Sequence, residues 1–340
     1  MAAKSTTDDA RWMRRAIEHA RRGLGRTNPN PIVGACIVSD EGVVLGQGAH
    51  EFAGGPHAEI NALDEAGADA RGATLYCTLE PCSHTGKTGP CTERIIAAGI
   101  RRVVAAMGDP FPQVNGRGFA ALRAHGIEVD VGVELDAAVR LNQPFLTTVR
   151  EGRPFVILKA ATSLDGRIAR KGERTALTSA PALRHAQYMR AQVDAIAVGS
   201  ETILVDDPLL TAREVYRERP LTRVIFDRRG RVPPTARIFS TLSSGPVLVV
   251  TSNELGGAIR NLAGQGIQSL IIEGGAAVHA AAWDAGIVDY VQLYVAPVWL
   301  GGDGVPLLEG RDFSPASLME QRVEQLGPDV LIEGYVHRPH

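Results

Sequence analysis

The chain brings one histidine, one glutamate and two cysteines close together in sequence, at His57, Glu59, Cys82 and Cys91. One imidazole and two thiols are the donor set of a catalytic zinc site, where three protein ligands leave a fourth position for water. A carboxylate that is not a ligand can then shuttle protons, because the metal lowers the pKa of its water. Glu59 is the candidate for that role. The pattern matches H-x-E…P-C-x-x-C, the signature of zinc nucleobase deaminases, at His57, Glu59, Pro81 and Cys82. It departs in one respect: the second thiol follows nine residues after the first instead of three. The insert SHTGKTGP is polar and carries glycine, so it reads as a loop over the metal. Cys36, in IVGACIV, and Cys77, in the strand-like run Ala73 to Leu79, read as small buried hydrophobes. A purely structural zinc site would need a fourth protein ligand, and His84 is the residue that could supply it.

Helical geometry sets conditions on these residues. His57 and Glu59 are two residues apart, about 200° around an ideal helix, so in mid-helix they would face opposite sides. They converge only in a first turn, and Pro56 suits a helix that begins there. Ile60, Ala62 and Leu63 start an apolar face that Gly67 ends. Cys91 likewise follows Pro90, and CTERIIAAG reads as a second helix closed by Gly99. Two helix N-termini then point at one spot, and their dipoles favour thiolates.

At 340 residues and a net charge of −2, the chain has room for two ordinary domains and no basic excess to hold nucleic acid. The start of the sequence lacks the apolar core of a signal peptide, no apolar run reaches membrane length, and four cysteines do not make a disulfide framework. A cytoplasmic enzyme is the expectation. Asp8 to Arg22 reads as an amphipathic helix whose arginines form a solvated face. Two β-rich runs around the turn Ser39 to Gly42 read as a hairpin. Asn28-Pro29-Asn30-Pro31 cannot be helical, and is either a structural turn or a pair of amides able to read a pyrimidine edge. Strand 101–107 leads into GDPFPQVNGRG, a loop at a strand C-terminus where open α/β sheets place ligands. Helix 117–125, strand 127–131 and helix 134–142 complete an alternating domain. Arg150 to Pro154 reads as a short polar linker between a domain of residues 1–150 and one of 151–340. In the second, strands at 155–161, 194–198, 223–226, 247–251, 268–272 and 290–296 alternate with helices around 179–191, 200–205, 254–264 and 276–285. The turns AIAVGSETILVDDP and SLIIEGGAAVHAAAWDAG each place glycine after a strand, where phosphate meets helix N-terminal amides, though glycines there are as often mere turns.

HAEINAL, TLEPCSHTGKTGPC and LKAATSLDGRIA, with the long spacing between the cysteines, resemble the bifunctional riboflavin-biosynthesis deaminase–reductases over nearly the whole chain. The resemblance implies a cytidine-deaminase-like three-layer α/β/α domain followed by a dihydrofolate-reductase-like α/β domain. It implies one Zn²⁺ per chain on His57, Cys82 and Cys91, and NADPH in the second half. The activities implied are a hydrolase and an oxidoreductase in sequence: deamination of 2,5-diamino-6-(5-phosphoribosylamino)pyrimidin-4-one, then reduction of its ribosyl group to ribityl. Asn28, His84, Lys87 and Asp109 match substrate contacts of the deaminase; Arg190, Leu210, Arg213 and Glu273 match those of the reductase. Thr162, Ala176, Thr202, Asp206 and the segment Gly275, Ala276, Ala277 and Val278 match the cofactor surface. Lys159 and Asp206 are the titratable groups beside the reacting sugar, either its proton source or a structural ion pair. Phe111 stands where the family often has a polar residue, and Ala176 where it commonly has tryptophan. The implied partner is a small phosphoribosyl pyrimidine, with neither nucleic acid nor membrane, and a homo-oligomer is left open. The alternative is a tRNA or nucleotide deaminase carrying a non-catalytic α/β binding module, against which the metal loop with Lys87 and the charge balance both count.

Overall fold

Met13, Ala16, Ile17 and Ala20 recur at helical spacing, and the first element of the structure is the helix they predict. The structure, a computed structural model, describes residues 6–83, 89–111 and 115–339. Its elements begin with α1 (Thr6–Ala20), β1 (Gly34–Val38), β2 (Val44–Ala49), α2 (Ala58–Ala66), β3 (Thr74–Cys77) and α3 (Cys91–Ala98). They continue with β4 (Arg102–Ala105), α4 (Arg117–Ala124), β5 (Glu128–Val131), α5 (Leu135–Leu141) and α6 (Gln143–Glu151). The expected hairpin forms: β1 and β2 pair antiparallel, and Gly42 N–H closes their turn on Ser39 O at 3.1 Å. The sheet order is β2-β1-β3-β4-β5, antiparallel through β3 and parallel from β3 to β5.

Two glycines show how the layers stack. Gly34 pairs with Ala49 and Ala35 with Gly48, so Gly34 and Gly48 face opposite sides of the sheet. A Cβ on Gly34 would stand 2.0 Å from Ala16 O in α1, and one on Gly48 would stand 2.1 Å from Ala58 O in α2. Helix α1 therefore covers one face and α2 the other, each pressed so close that no side chain fits between. Buried residues from Trp12 to Leu146 fill this core.

The second half contains β6 (Phe155–Thr162), β7 (Arg167–Arg170), α7 (Ala180–Gln192), β8 (Ala195–Gly199), α8 (Ser200–Asp206), β9 (Thr222–Phe226), β10 (Val247–Val250), α9 (Leu255–Gly264), β11 (Ser269–Ile272), α10 (Ala276–Asp284), β12 (Tyr290–Val295), β13 (Gly304–Pro306), β14 (Met319–Leu326) and β15 (Asp329–Tyr335). Eight strands form one sheet, in the order β10-β9-β8-β11-β6-β12-β15-β14. It is parallel from β10 to β12, and its last two pairings are antiparallel. Along β6, Val156, Leu158 and Ala160 enter one core cluster while Phe155 and Ile157 enter another, so both faces are covered.

All six strands and four helices expected here are present. Four strands were not foreseen. Seven of the eight residues of β14, MEQRVEQL, are exposed, and as an edge strand it pairs only with β15, so it shows no apolar alternation. Strands β7 and β13 are short and pair with each other. The polar segment from Arg150 to Pro154 is not wholly irregular: α6 carries the chain through Arg150 and Glu151, and the break follows at Gly152, whose φ is +66°. The chain divides into two compact units, one ending at Arg150 and one running Glu151–Pro339. Among the described residues no helix is long and apolar enough to cross a membrane.

Candidate functional site

The residue before α2 settles the problem set by the spacing of His57 and Glu59. His57 is the N-cap, extended at φ −73° and ψ 158°, so it leaves the helical progression while Glu59 stays in the first turn. Pro90 caps α3 in a similar extended conformation, which makes Cys91 the first residue of that helix. Cys82 arrives from the segment after β3. His57 Nδ1 lies 3.2 Å from Cys91 Sγ and 3.5 Å from Cys82 Sγ, and the three ligand atoms all lie within 4.8 Å of one another. Ligands at zinc distances of about 2.1 and 2.3 Å in a tetrahedron stand about 3.6 Å apart, so the donor set is already closed to the size of that ion. Among the described residues only these three form such a group, the number of protein ligands that a catalytic zinc site uses.

The local charges fit a divalent cation. Cys82 is pulled well below the usual thiol range, first by the hydrogen bond the Cys91 thiol gives it, with His57 and the Cys91 N–H adding to the effect. That N–H, the first of α3, stands 3.3 Å from Cys82 Sγ. Cys91 is pushed up by donating to Cys82 and then by burial. The hydrogen bond that the His57 ring donates to the Cys82 sulfur raises His57 against the effect of its burial. A metal ion takes the place of the protons such a cluster holds. Glu59 is 3% exposed. Burial raises its carboxyl above the usual range, and it hydrogen-bonds Cys91 without joining the ligand group.

The site opens on a cavity of about 260 Å³ lined by Pro29, Asn30, Pro31, Val33, His50, His57, Glu59, Leu79, Glu80, Cys82, Asp109, Phe111 and Phe145. Of the residues singled out from sequence, Asp109 is on this wall. Asn28 is half-buried directly before the lining residues Pro29 to Pro31 and does not itself line the cavity. His84 and Lys87 lie outside the described residues. Two wall residues had escaped notice. His50 directly follows β2 with its ring buried, Nδ1 3.0 Å from Pro56 O and Nε2 3.0 Å from Asn30 Nδ2. If the amide donates, the network assigns a neutral ring with its proton on Nδ1, in keeping with the lowering that burial imposes. Glu80, inside the TLEPC motif, was readable as an ionisable residue between apolar neighbours.

The second unit gathers its candidates at the C-terminal ends of parallel strands. Strands β8, β11, β6 and β12 are neighbours, so the turns after β8 and β11 meet. Gly199 N–H donates to Gly274 O at 3.3 Å, and a Cβ on Gly274 would stand 3.0 Å from Thr202 Oγ1. Thr202 and the start of α10, Gly275 to Val278, thus lie together. Lys159 Nζ is 3.6 Å from Glu273 Oε2 and 5.2 Å from the centre of the Tyr294 ring. The ion pair of Lys159 is therefore with Glu273 and not with Asp206, because β6 and β11 are adjacent whereas Asp206 ends α8. Arg190 grips the same carboxylate with two bonds, Nε to Oε1 at 2.7 Å and Nη2 to Oε2 at 2.6 Å, and reaches Thr211 O with Nη1 at 3.1 Å. Its fork is taken up by protein. Arg213 is exposed, its N–H held by Gln187 Oε1 at 2.8 Å, and Leu210 is buried at φ +53°. Thr162 is buried opposite Val295, and Ala176 is exposed on the connection from β7 to α7.

Comparison with known proteins accounts for both units. Residues 6–107 match the cytidine and deoxycytidylate deaminase zinc-binding region, and residues 154–332 match the RibD C-terminal domain. The chain is 39% identical to the riboflavin biosynthesis protein RibD of Escherichia coli K12, over 95% of this chain and 98% of that protein. It is 38% identical to the Aquifex aeolicus RibD, over 95% and 97%. Among solved structures, Acinetobacter baumannii RibD superposes with a TM-score of 0.87 at 38% identity, covering 97% of this chain and 99% of that one. The deaminase/reductase from Thermotoga maritima gives 0.87 at 35%, covering 96% and 98%. A non-catalytic module in the second half is not favoured, since that half matches the reductase domain. With both units matched and relatives 38–39% identical along nearly their whole length, the chain belongs to the RibD family of riboflavin-biosynthesis deaminase–reductases.

Proposed function

We propose that residues 1–150 deaminate 2,5-diamino-6-(5-phosphoribosylamino)pyrimidin-4-one, and that residues 151–340 reduce the ribosyl group of the product to ribityl with NADPH. The observation that carries the first step is the His57, Cys82 and Cys91 cluster with buried Glu59, opening on a cavity of about 260 Å³. Zn²⁺, when bound, lowers the pKa of a water at its open position. His57, Cys82 and Cys91 hold the ion. Glu59 takes a proton from the attacking water and passes it to the amino nitrogen, which leaves as ammonia. Pro29 to Pro31, with His50 behind Asn30, give the cavity a wall of fixed donors and acceptors, and Asn28 beside them is assigned to the base. Asp109, on the same wall, is assigned to the substrate, and His84 and Lys87 to its ribose phosphate side.

In the reductase unit, NADPH supplies the hydride. Thr202, Gly275, Ala276, Ala277 and Val278 form its phosphate-facing surface, where helix N-terminal amides receive anions, and Thr162, Ala176 and Asp206 extend it. Lys159 is assigned as proton donor to the sugar's ring oxygen in preference to Asp206. Burial lowers its pKa, which readies an ammonium to release its proton, while Glu273 opposes the shift. Arg190 serves by fixing Glu273, and the phosphate falls to Arg213, with Leu210 closing the pocket. The net charge of −2 supports a small-molecule substrate over nucleic acid.

The test is an assay with the diaminopyrimidine phosphate that follows ammonia and NADPH separately. Ammonia should appear first, and NADPH should then be consumed one for one. Oxidation of NADPH without prior ammonia, or ammonia released from a polynucleotide instead, would overturn the assignment.

A further inference from the structure

Glu80 sits two residues before the ligand Cys82 and is 3% exposed. Its carboxylate accepts four backbone N–H bonds. Oε2 takes those of Asp109 at 3.2 Å and Gly116 at 3.0 Å; Oε1 takes those of Gly118 at 2.8 Å and Phe119 at 3.3 Å. A carboxylate away from water is tolerated where donors replace its hydration, and these amides do so. Two of them belong to the first turn of α4, where the helix dipole adds to the attraction.

The arrangement ties the segment after β3 that delivers Cys82 to the backbone that carries Asp109. Packing enforces the tie: a Cβ on Gly118 would stand 2.0 Å from Pro81 O, so the start of α4 abuts the residue between Glu80 and Cys82. Asp109 in turn accepts from Phe111 N–H through Oδ1 at 2.8 Å, and Asp109, Phe111 and Glu80 all line the cavity. We propose that Glu80 is a positioning residue for Asp109, fixing its place relative to the metal ligands and so setting how the deaminase grips its substrate. The inference rests on the assignment of Asp109 to the substrate made above.

The experiment is a double-mutant cycle on the full-length, zinc-loaded protein, with ammonia release from the diaminopyrimidine phosphate as the readout. Glu80→Gln keeps the shape but turns one oxygen into an amide that cannot accept, so one pair of N–H groups loses its partner. Glu80→Gln should keep its zinc and its reductase rate, raise the deaminase KM about tenfold and change kcat less than twofold. Asp109→Asn should raise KM comparably, and the double variant should be no worse than Asp109→Asn alone. Additive effects, or a fall in kcat at unchanged KM, would overturn the role of Glu80 while leaving Asp109 in place. An unchanged KM in Asp109→Asn would remove Asp109 from the substrate, and this inference with it. Should Glu80→Gln lose zinc, Glu80→Asp, which keeps the charge but cannot span both pairs of amides, replaces it in the same cycle. Loss of zinc in both would make Glu80 a support for Cys82 instead and overturn the proposal.

Discussion

Two carboxylates of this protein, Glu59 and Glu273, are buried in opposite circumstances. Glu59 stands beside thiols and a histidine in the first turn of α2, a place from which it can serve water and substrate without binding the metal. Glu59→Gln should keep one zinc per chain by elemental analysis and lose ammonia release by about 10²–10⁴-fold, the usual worth of a general base. Retained turnover would remove Glu59 from the chemistry. Glu273 is surrounded by cations. Burial raises its carboxyl, but Arg190 first and Lys159 second outweigh that and hold it down to about 2, against an ordinary 4.5. A group whose folded pKa is depressed contributes stability above its unfolded pKa and loses it as pH falls through the folded one. Glu273→Gln should therefore destabilise the reductase unit by about 3–5 kcal/mol at pH 7, since it leaves Arg190 and Lys159 buried without their counter-ion. The gap from the parent should narrow as pH drops from about 4.5 toward 2, a trend that urea melts at a series of pH values would show. A gap constant across that range would mean that the pair makes no such contribution.

At the scale of elements, the deaminase site depends on how closely α2 lies on β2. Ala58 O would stand 2.1 Å from a Cβ on Gly48, and Ala58 directly follows His57. Gly48→Ala should push the first turn of α2 off the sheet, cost about 1–3 kcal/mol as overpacking does, and weaken zinc retention against a chelator, because His57 moves with Ala58. Unaltered retention would show that the helix can slide without shifting its cap. What was legible in the sequence follows the same physics. Pro56, Pro90, Gly67 and Gly99 mark helix ends through backbone restrictions that act locally, so the placing of His57 and Cys91 at two helix starts could be read directly. Long apolar strands such as β6 were equally plain. Strand β14 was not, because a solvent-facing edge needs no apolar alternation. Glu80 and His50 were missed for another reason: their partners are the amides of residues 29–39 positions away and the Asn30 side chain, and contacts at that separation leave no periodic trace. The pairing of Lys159 with Glu273 also depends on β11 and β6 being neighbours, which element order alone does not fix.

Across the whole molecule, the two chemistries draw on separate cores. Buried clusters of the deaminase unit take residues from Trp12 to Leu146, and those of the reductase unit take residues from Phe155 onward. A unit with its own core and its own sheet has what it needs to fold alone, and Gly152, at φ +66°, ends α6 at the point where the chain can be cut without opening that helix. The site follows the same division, since every residue lining the zinc cavity precedes Gly152. A chain ended at Gly152 should therefore be soluble, bind one zinc and release ammonia from the diaminopyrimidine phosphate at close to the full-length rate. Stripping zinc from the full-length protein with a chelator should abolish ammonia release while NADPH oxidation with the already deaminated substrate continues. If the shortened chain were to precipitate, or if stripping zinc halted both reactions, the metal and the reductase would be linked through the fold, and each activity would require both halves of the chain.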